Sequence, residues 1–245
     1  MTTNEFLQIL SPNAISLLKY YTANYHNKNI DIVDDKRIYM IPNKSSVYEI
    51  HIDFSMPIQL VEENFVHELM HCIQIEEGYP SVTHLESEYK DVADLISSIV
   101  LDFNVDEQLS KRGYQKSTTK LQENLQELFK RLLFSKENLA MKKEFSKMIT
   151  IIHSCCTIVK GRIYLQNDQL TKMILNIFEK DFHKIYKMQN IIYDCITING
   201  FNSPQEIYKT FKDIVKKLDL KPYVKIVNHM DSNHIKIDNE TQDNS

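Results

Sequence analysis

Hydrophobic positions change period along this chain, and the changes mark its elements. Between residues 46 and 54, Val47, Glu49, His51 and Asp53 alternate with Tyr48, Ile50, Ile52 and Phe54. A repeat of two is the pattern of a strand with one buried face. Upstream, Ile30, Ile32, Ile38 and Met40 flank a turn signal at Asp34-Asp35-Lys36, so a small antiparallel sheet is expected from these stretches. A short helix over 13–26, after Ser11-Pro12, precedes it. Beyond Pro57 the spacing becomes three to four, through Leu60, Val61, Phe65, Leu69, Cys72 and Ile73. This predicts a helix over 58–77, stopped by Gly78-Tyr79-Pro80. A second helix is expected over 85–111, ending at Gly113 and carrying Val92, Leu95, Ile96, Ile99, Phe103 and Leu109 on its apolar side. Helices over 117–134, 137–165, 168–197 and 204–219 follow, with Asn167-Asp168 and Ser203-Pro204 as starts.

The expected fold class is therefore α+β and predominantly α-helical, with a small antiparallel sheet and a helical C-terminal part. No Gly/Ser linker divides the chain. Residues 1–115 read as one mixed unit, 116–228 as a helical unit packed on it, and 229–245 as a polar, flexible tail.

Composition narrows the chemistry. The 245 residues are 42% hydrophobic and 25% charged, enough apolar surface for a core. Four scattered glycines cannot write a phosphate-cradling loop, which excludes P-loop NTPases, Rossmann dinucleotide binders and protein kinases. No export signal or membrane-length apolar run is visible, and a cytoplasmic location is expected. Cys72, Cys155, Cys156 and Cys195 lack disulfide or metal spacing and read as free thiols, the vicinal pair as core residues. Residues 1–113 carry a net charge of −10 and 114–245 a net +6. An acidic front half suits a cation. The basic half is mostly lysine at helical spacing, which reads as a solvated face and makes nucleic acid an unlikely partner.

One segment carries chemistry. Residues 67–71 read His67-Glu68-Leu69-Met70-His71, an HExxH pattern inside the 58–77 helix. Positions i and i+4 of a helix lie about 40° apart, so His67 and His71 point the same way, one turn apart. Both imidazoles can then reach one Zn²⁺. Glu68, offset by about 100°, can stand beside the metal and take a proton from water. The flanking Phe65, Leu69, Met70, Cys72 and Ile73 are uncharged, so the histidines enter a low-dielectric wall.

This stretch resembles the zincin metallopeptidases, with residues 64–73 matching their extended motif of uncharged neighbours and a strand preceding the helix. The resemblance covers about residues 46–113. It implies a zinc-dependent peptidase with His67 and His71 as ligands and Glu68 as base, acting on a peptide or protein substrate held extended by the strand near 47–54. The chain lacks the third histidine and accompanying glycine of the metzincins.

A catalytic zinc needs a third protein ligand and an open position. The next helix offers Glu86, Glu88, Asp91, Asp94, Asp102, Asp106 and Glu107. A tight return would bring Asp91 or Asp94 level with the histidines, whereas a loop over 79–90 delays the return. Asp102 sits among Ile99, Val100, Leu101 and Phe103, where an acid costs free energy unless paired or metal-bound. Asp102 and Asp106 also reproduce the gluzincin spacing, in which a second acid four residues on holds a ligating histidine, although that group usually has Glu. Asp102 is favoured, with Asp94 and Asp91 behind it, and Asp106 and Glu107 are assigned to a solvated face or to the ligands' surroundings. His51 reads as an exposed strand residue and His84 as a loop residue. Tyr79, Tyr89 and Tyr114 are candidate oxyanion stabilisers. Two other readings stand beside the peptidase. One is a catalytically weak or inactive regulatory protein with a partner-binding helical half; the other is a dedicated factor acting on one target.

Overall fold

The chain opens with helices α1 (Thr3–Ile9) and α2 (Pro12–Asn24). Ser11 lies in extended backbone and its side chain accepts the Ala14 amide, which with Pro12 in the first turn starts α2. The computed structural model describes residues 3–26, 28–43, 47–114, 118–135 and 147–228.

Strands β1 (Asn29–Asp34), β2 (Tyr39–Asn43) and β3 (Val47–Ile52) form a sheet in the order β1-β3-β2. β2 and β3 pair antiparallel, with Met40 opposite Ile50. β1 runs parallel to β3, with Ile32 opposite Ile50, so the sheet is mixed. The turn near 34–36 exists, but it carries the chain across the end of β3 instead of back along β1. Asp35 fixes that corner: its amide reaches the Ile52 carbonyl at 3.1 Å and its carboxylate accepts the Arg37 amide at 3.0 Å. Alternation marks strands, whereas turn geometry chooses their neighbours and direction.

Helix α3 (Ile58–Glu76) lies on β2 and β3 and buries Val61, Phe65, Leu69 and Cys72. It ends at Gly78, whose φ of 77° lets the Tyr79 amide return to the Gln74 carbonyl and the Gly78 amide to Ile75. The chain then forms β4 (Ser81–His84), a 3-10 turn at Ser87–Tyr89, and α4 (Lys90–Lys111). The helix expected from 85 thus starts at 90. β4 pairs antiparallel with β5 (Val224–Val227), a strand within the stretch read as helical.

Between them run α5 (Thr119–Ser135), α6 (Met148–Tyr164), α7 (Gln169–Asp181), α8 (His183–Asn199) and α9 (Pro204–Lys217). The helix expected over 168–197 is two, broken at Phe182. The buried Ile174, Phe178, Ile185, Met188 and Ile192 keep helical spacing across the break, so periodicity does not reveal it. The beginning of the helix expected over 137–165 and the 229–245 tail lie outside the described residues. The fold is α+β and predominantly helical, and no described helix is long and apolar enough to cross a membrane.

Two clusters of buried side chains share α4. Val105 and Leu109 join Phe65, Leu69 and Ile50 on the sheet side. Ile96, Ile99 and Phe103 join Ile152, Ile192 and Phe211 on the helical side. Asp102 lies on α4 between these two sets.

Candidate metal centre

Helix α3 projects His67, Glu68 and His71 from a little over one turn. The two imidazoles meet edge to face, ring centres 4.9 Å apart, with their Nε2 atoms 3.2 Å apart. α4 packs against α3 and brings Asp102 Oδ1 to 3.6 Å from His67 Nε2 and 3.3 Å from His71 Nε2. These three atoms form a near-equilateral triangle. Ligand atoms about 2.0–2.1 Å from a tetrahedral ion lie about 3.3–3.4 Å from one another. The observed edges fit that span. Two imidazole nitrogens this close repel unless a proton or a cation lies between them, so the geometry favours positive charge at the centre of the triangle. His67, His71 and Asp102 can therefore hold a metal ion.

The groups behind the triangle fix its orientation. Buried Gln74 donates through Nε2 to the Leu101 carbonyl at 3.2 Å and to Asn104 Oδ1 at 2.8 Å. Its Oε1 therefore faces His71 Nδ1, at 2.8 Å, and accepts that N–H. The tautomer is thereby set, and the Nε2 lone pair is left for the centre. Asp102 offers only Oδ1 to the histidines, because Oδ2 accepts Lys160 Nζ at 2.7 Å and Ser98 Oγ at 3.0 Å.

Charge follows this layout. Burial alone pushes the Asp102 carboxyl up, but the Lys160 ammonium and the neighbouring His67 and His71 imidazoles outweigh it and hold it well below the usual range. Burial pulls the His71 imidazole down, and the nearby Asp102 carboxylate reverses that and raises it. Burial also pulls Lys160 down, and Asp102 again reverses the direction. Glu68 is raised by burial, opposed by His71 and His67.

The centre opens into a cavity of about 650 Å³, within the range of ligand-binding clefts. His67, Glu68, Asp102, Lys160, Tyr114 and Tyr164 line it, with an apolar wall that includes Met56, Leu60, Leu109 and Leu121.

Among the carboxylates offered by the sequence, Asp102 is the one brought to both histidines. Asp91 and Asp94 are exposed earlier on α4 and line neither the centre nor the cavity. The return is late because β4 and the 3-10 turn occupy residues 81–84 and 87–89 before α4 begins. The support behind His71 comes from Gln74, an amide, where the gluzincin spacing pointed to Asp106. Asp106 accepts the Tyr164 hydroxyl at 2.6 Å. Glu107 is exposed and pairs with Lys111 at 3.3 Å.

His51 is buried, not exposed. The Asp35 corner folds over it, placing the carboxylate 3.4 Å from Nδ1, and Tyr39 stacks on the ring with centres 4.2 Å apart. His84 lies in β4, not in a loop. Tyr79 is buried in the larger core and Tyr89 stacks on Tyr223, so of the three tyrosines singled out only Tyr114 lines the cavity. β3 is paired on both sides and has no edge to offer an extended chain. Among the described residues, the unpaired edge nearer the cavity is that of β2, whose neighbour Ile38 lines it. Gln74, Ser98, Lys160 and Tyr164 escaped sequence reasoning. Gln74 had one signal, an amide on the face of α3 three residues after His71. All four cysteines are buried and unbridged. Comparison of the chain with protein families, with curated proteins and with solved structures finds no match.

Proposed function

We propose that the protein is a zinc-dependent metallopeptidase. The observation that carries this reading is the triangle of His67 Nε2, His71 Nε2 and Asp102 Oδ1, with edges of 3.2, 3.3 and 3.6 Å, opening into a cleft that Glu68 lines. Two imidazoles and one carboxylate oxygen are the donor set of a catalytic zinc site with one position left open. Bound there, the ion would act as a Lewis acid and lower the pKa of water. Glu68 follows the first ligand directly and is raised above the ordinary glutamate range by burial, which suits a group that takes a proton and returns it to a leaving amine. The Lys160 ammonium, with N–H donors beyond the one given to Asp102, lines the same cleft. An extended peptide would lie along the β2 edge. The resemblance of residues 46–113 to zincins supports the same assignment.

The test is metal content and peptide hydrolysis for the wild type and Glu68→Gln after reconstitution with zinc. Equal, stoichiometric metal and a rate lowered roughly 10²- to 10⁴-fold in the variant are expected. Failure to bind zinc, or an unchanged rate in Glu68→Gln, refutes the proposal. One observation favours a second reading: Lys160, Ser98 and the two histidines already satisfy Asp102. The centre would then be a structural element of an interaction protein, and zinc-loaded wild type would cut no member of a broad peptide library.

A further inference from the structure

The second oxygen of Asp102 distinguishes this centre from a bare His-His-Asp set. A carboxylate with both oxygens free can close on a divalent cation through both. Here Oδ2 is engaged by an ammonium at 2.7 Å and a hydroxyl at 3.0 Å. Two-oxygen ligation requires Asp102 to rotate and give up a charge-assisted hydrogen bond, the stronger kind. The donors are themselves held. Ser98 lies one turn before Asp102 on α4. Lys160 lies on α6, which packs against α4, α5 and α7. At the next residue, Gly161, an added Cβ would meet Thr171 Oγ1 at 3.0 Å and Leu125 Cδ1 at 3.2 Å, so the helix has little room to shift.

We propose that Lys160 is a positioning residue: together with Ser98 it restricts Asp102 to one-oxygen ligation, so that His67, His71 and Asp102 fill three positions and the fourth faces the cleft. The inference rests on the metal-binding reading above. It gives the C-terminal helical half, which supplies none of His67, His71 and Asp102, a direct part in the geometry of the centre. Lys160 acts through Asp102 and need not touch substrate.

Cobalt(II) added to metal-stripped, full-length protein reads this directly, because its visible absorption weakens and moves to shorter wavelength as coordination number rises. The unaltered protein should bind one cobalt per chain with an intense, four-coordinate band. Lys160→Met should bind the same amount with a several-fold weaker, shifted band, as Oδ2 joins the ion. Lys160→Arg, which keeps charge and donors, should restore the band, and Ser98→Ala should move it in the Lys160→Met direction by a smaller step. A wild-type spectrum in Lys160→Met overturns the proposal. If circular dichroism shows that Lys160→Met does not fold, Ser98→Ala decides, and an unchanged band there overturns it. Absence of cobalt binding in the unaltered protein overturns the metal reading itself, and with it this inference.

Discussion

Removing the two members of the Asp102–Lys160 pair should have unequal consequences. At 2.7 Å and an effective dielectric constant of about 20, their attraction is roughly 6 kcal/mol before desolvation. Desolvation costs several kcal/mol per ion, which leaves the intact pair close to neutral, whereas stranding one buried partner costs about 3–5 kcal/mol. Asp102 is the only hydrogen-bond acceptor Lys160 reaches among the described residues. Asp102, by contrast, keeps His67, His71 and Ser98 when Lys160 is gone. Asp102→Ala should therefore destabilise metal-free protein by about 3 kcal/mol. The low end applies because the Lys160 side chain retains 29% exposure and can recruit water. For a chain of this size that corresponds to a fall of about 6–12 °C in Tm. Lys160→Met should cost only about 1.5–2 kcal/mol, the low end for a hydrogen bond to a charged group, because the other contacts of Asp102 remain. The double variant should lie near Lys160→Met, well short of the sum. Thermal and urea unfolding in the presence of chelator, followed by circular dichroism, measures all three. If Lys160→Met costs as much as Asp102→Ala, or if the two losses add, the assignment of Lys160 as the dependent partner is wrong.

Three further outcomes follow from the same geometry. Gln74→Leu removes the acceptor that sets the His71 tautomer without touching the metal, and should weaken zinc affinity roughly 10- to 100-fold in a competition titration. The His71 imidazole is raised above its ordinary value of about 6.5, burial being outweighed by Asp102. Its contribution to metal-free stability is complete below the unfolded value and is lost as pH rises through the folded one, so Tm in chelator should decline across that interval. Metal competes with the same proton, and its Kd should rise as pH falls below the folded value of His71. A metal affinity independent of pH there would remove His71 from the ligand set.

The HExxH helix was legible because two signals coincide in it: a 3.6-residue apolar period and histidines four apart. Asp102 was legible because an acid within Ile99–Phe103 contradicts that period. The missing features leave no such contradiction. Lys160 is one of many lysines at helical spacing in the second half, and nothing local marks the one that turns inward. β4 and β5 span four residues each, too few to display alternation. The parallel pairing of β1 depends on where the Asp35 corner sends the chain, a consequence of turn geometry that hydropathy does not encode. His51 was misread for the same reason, since its burial comes from that corner and not from the strand's own pattern.

The pairing of β4 with β5 has a consequence for synthesis on the ribosome. A growing polypeptide that has emerged only through α4 already contains His67, His71 and Asp102, but neither Lys160 nor the Val224–Val227 strand that clasps the connection between the two ligand helices. The centre is completed by chain translated about sixty to a hundred and twenty residues later, which takes roughly 3–24 s at ordinary elongation rates. Until then the nascent polypeptide holds His67, His71 and Asp102 without the framework that orders them, so the triangle is framed late in translation, after nearly all of the described fold has been made.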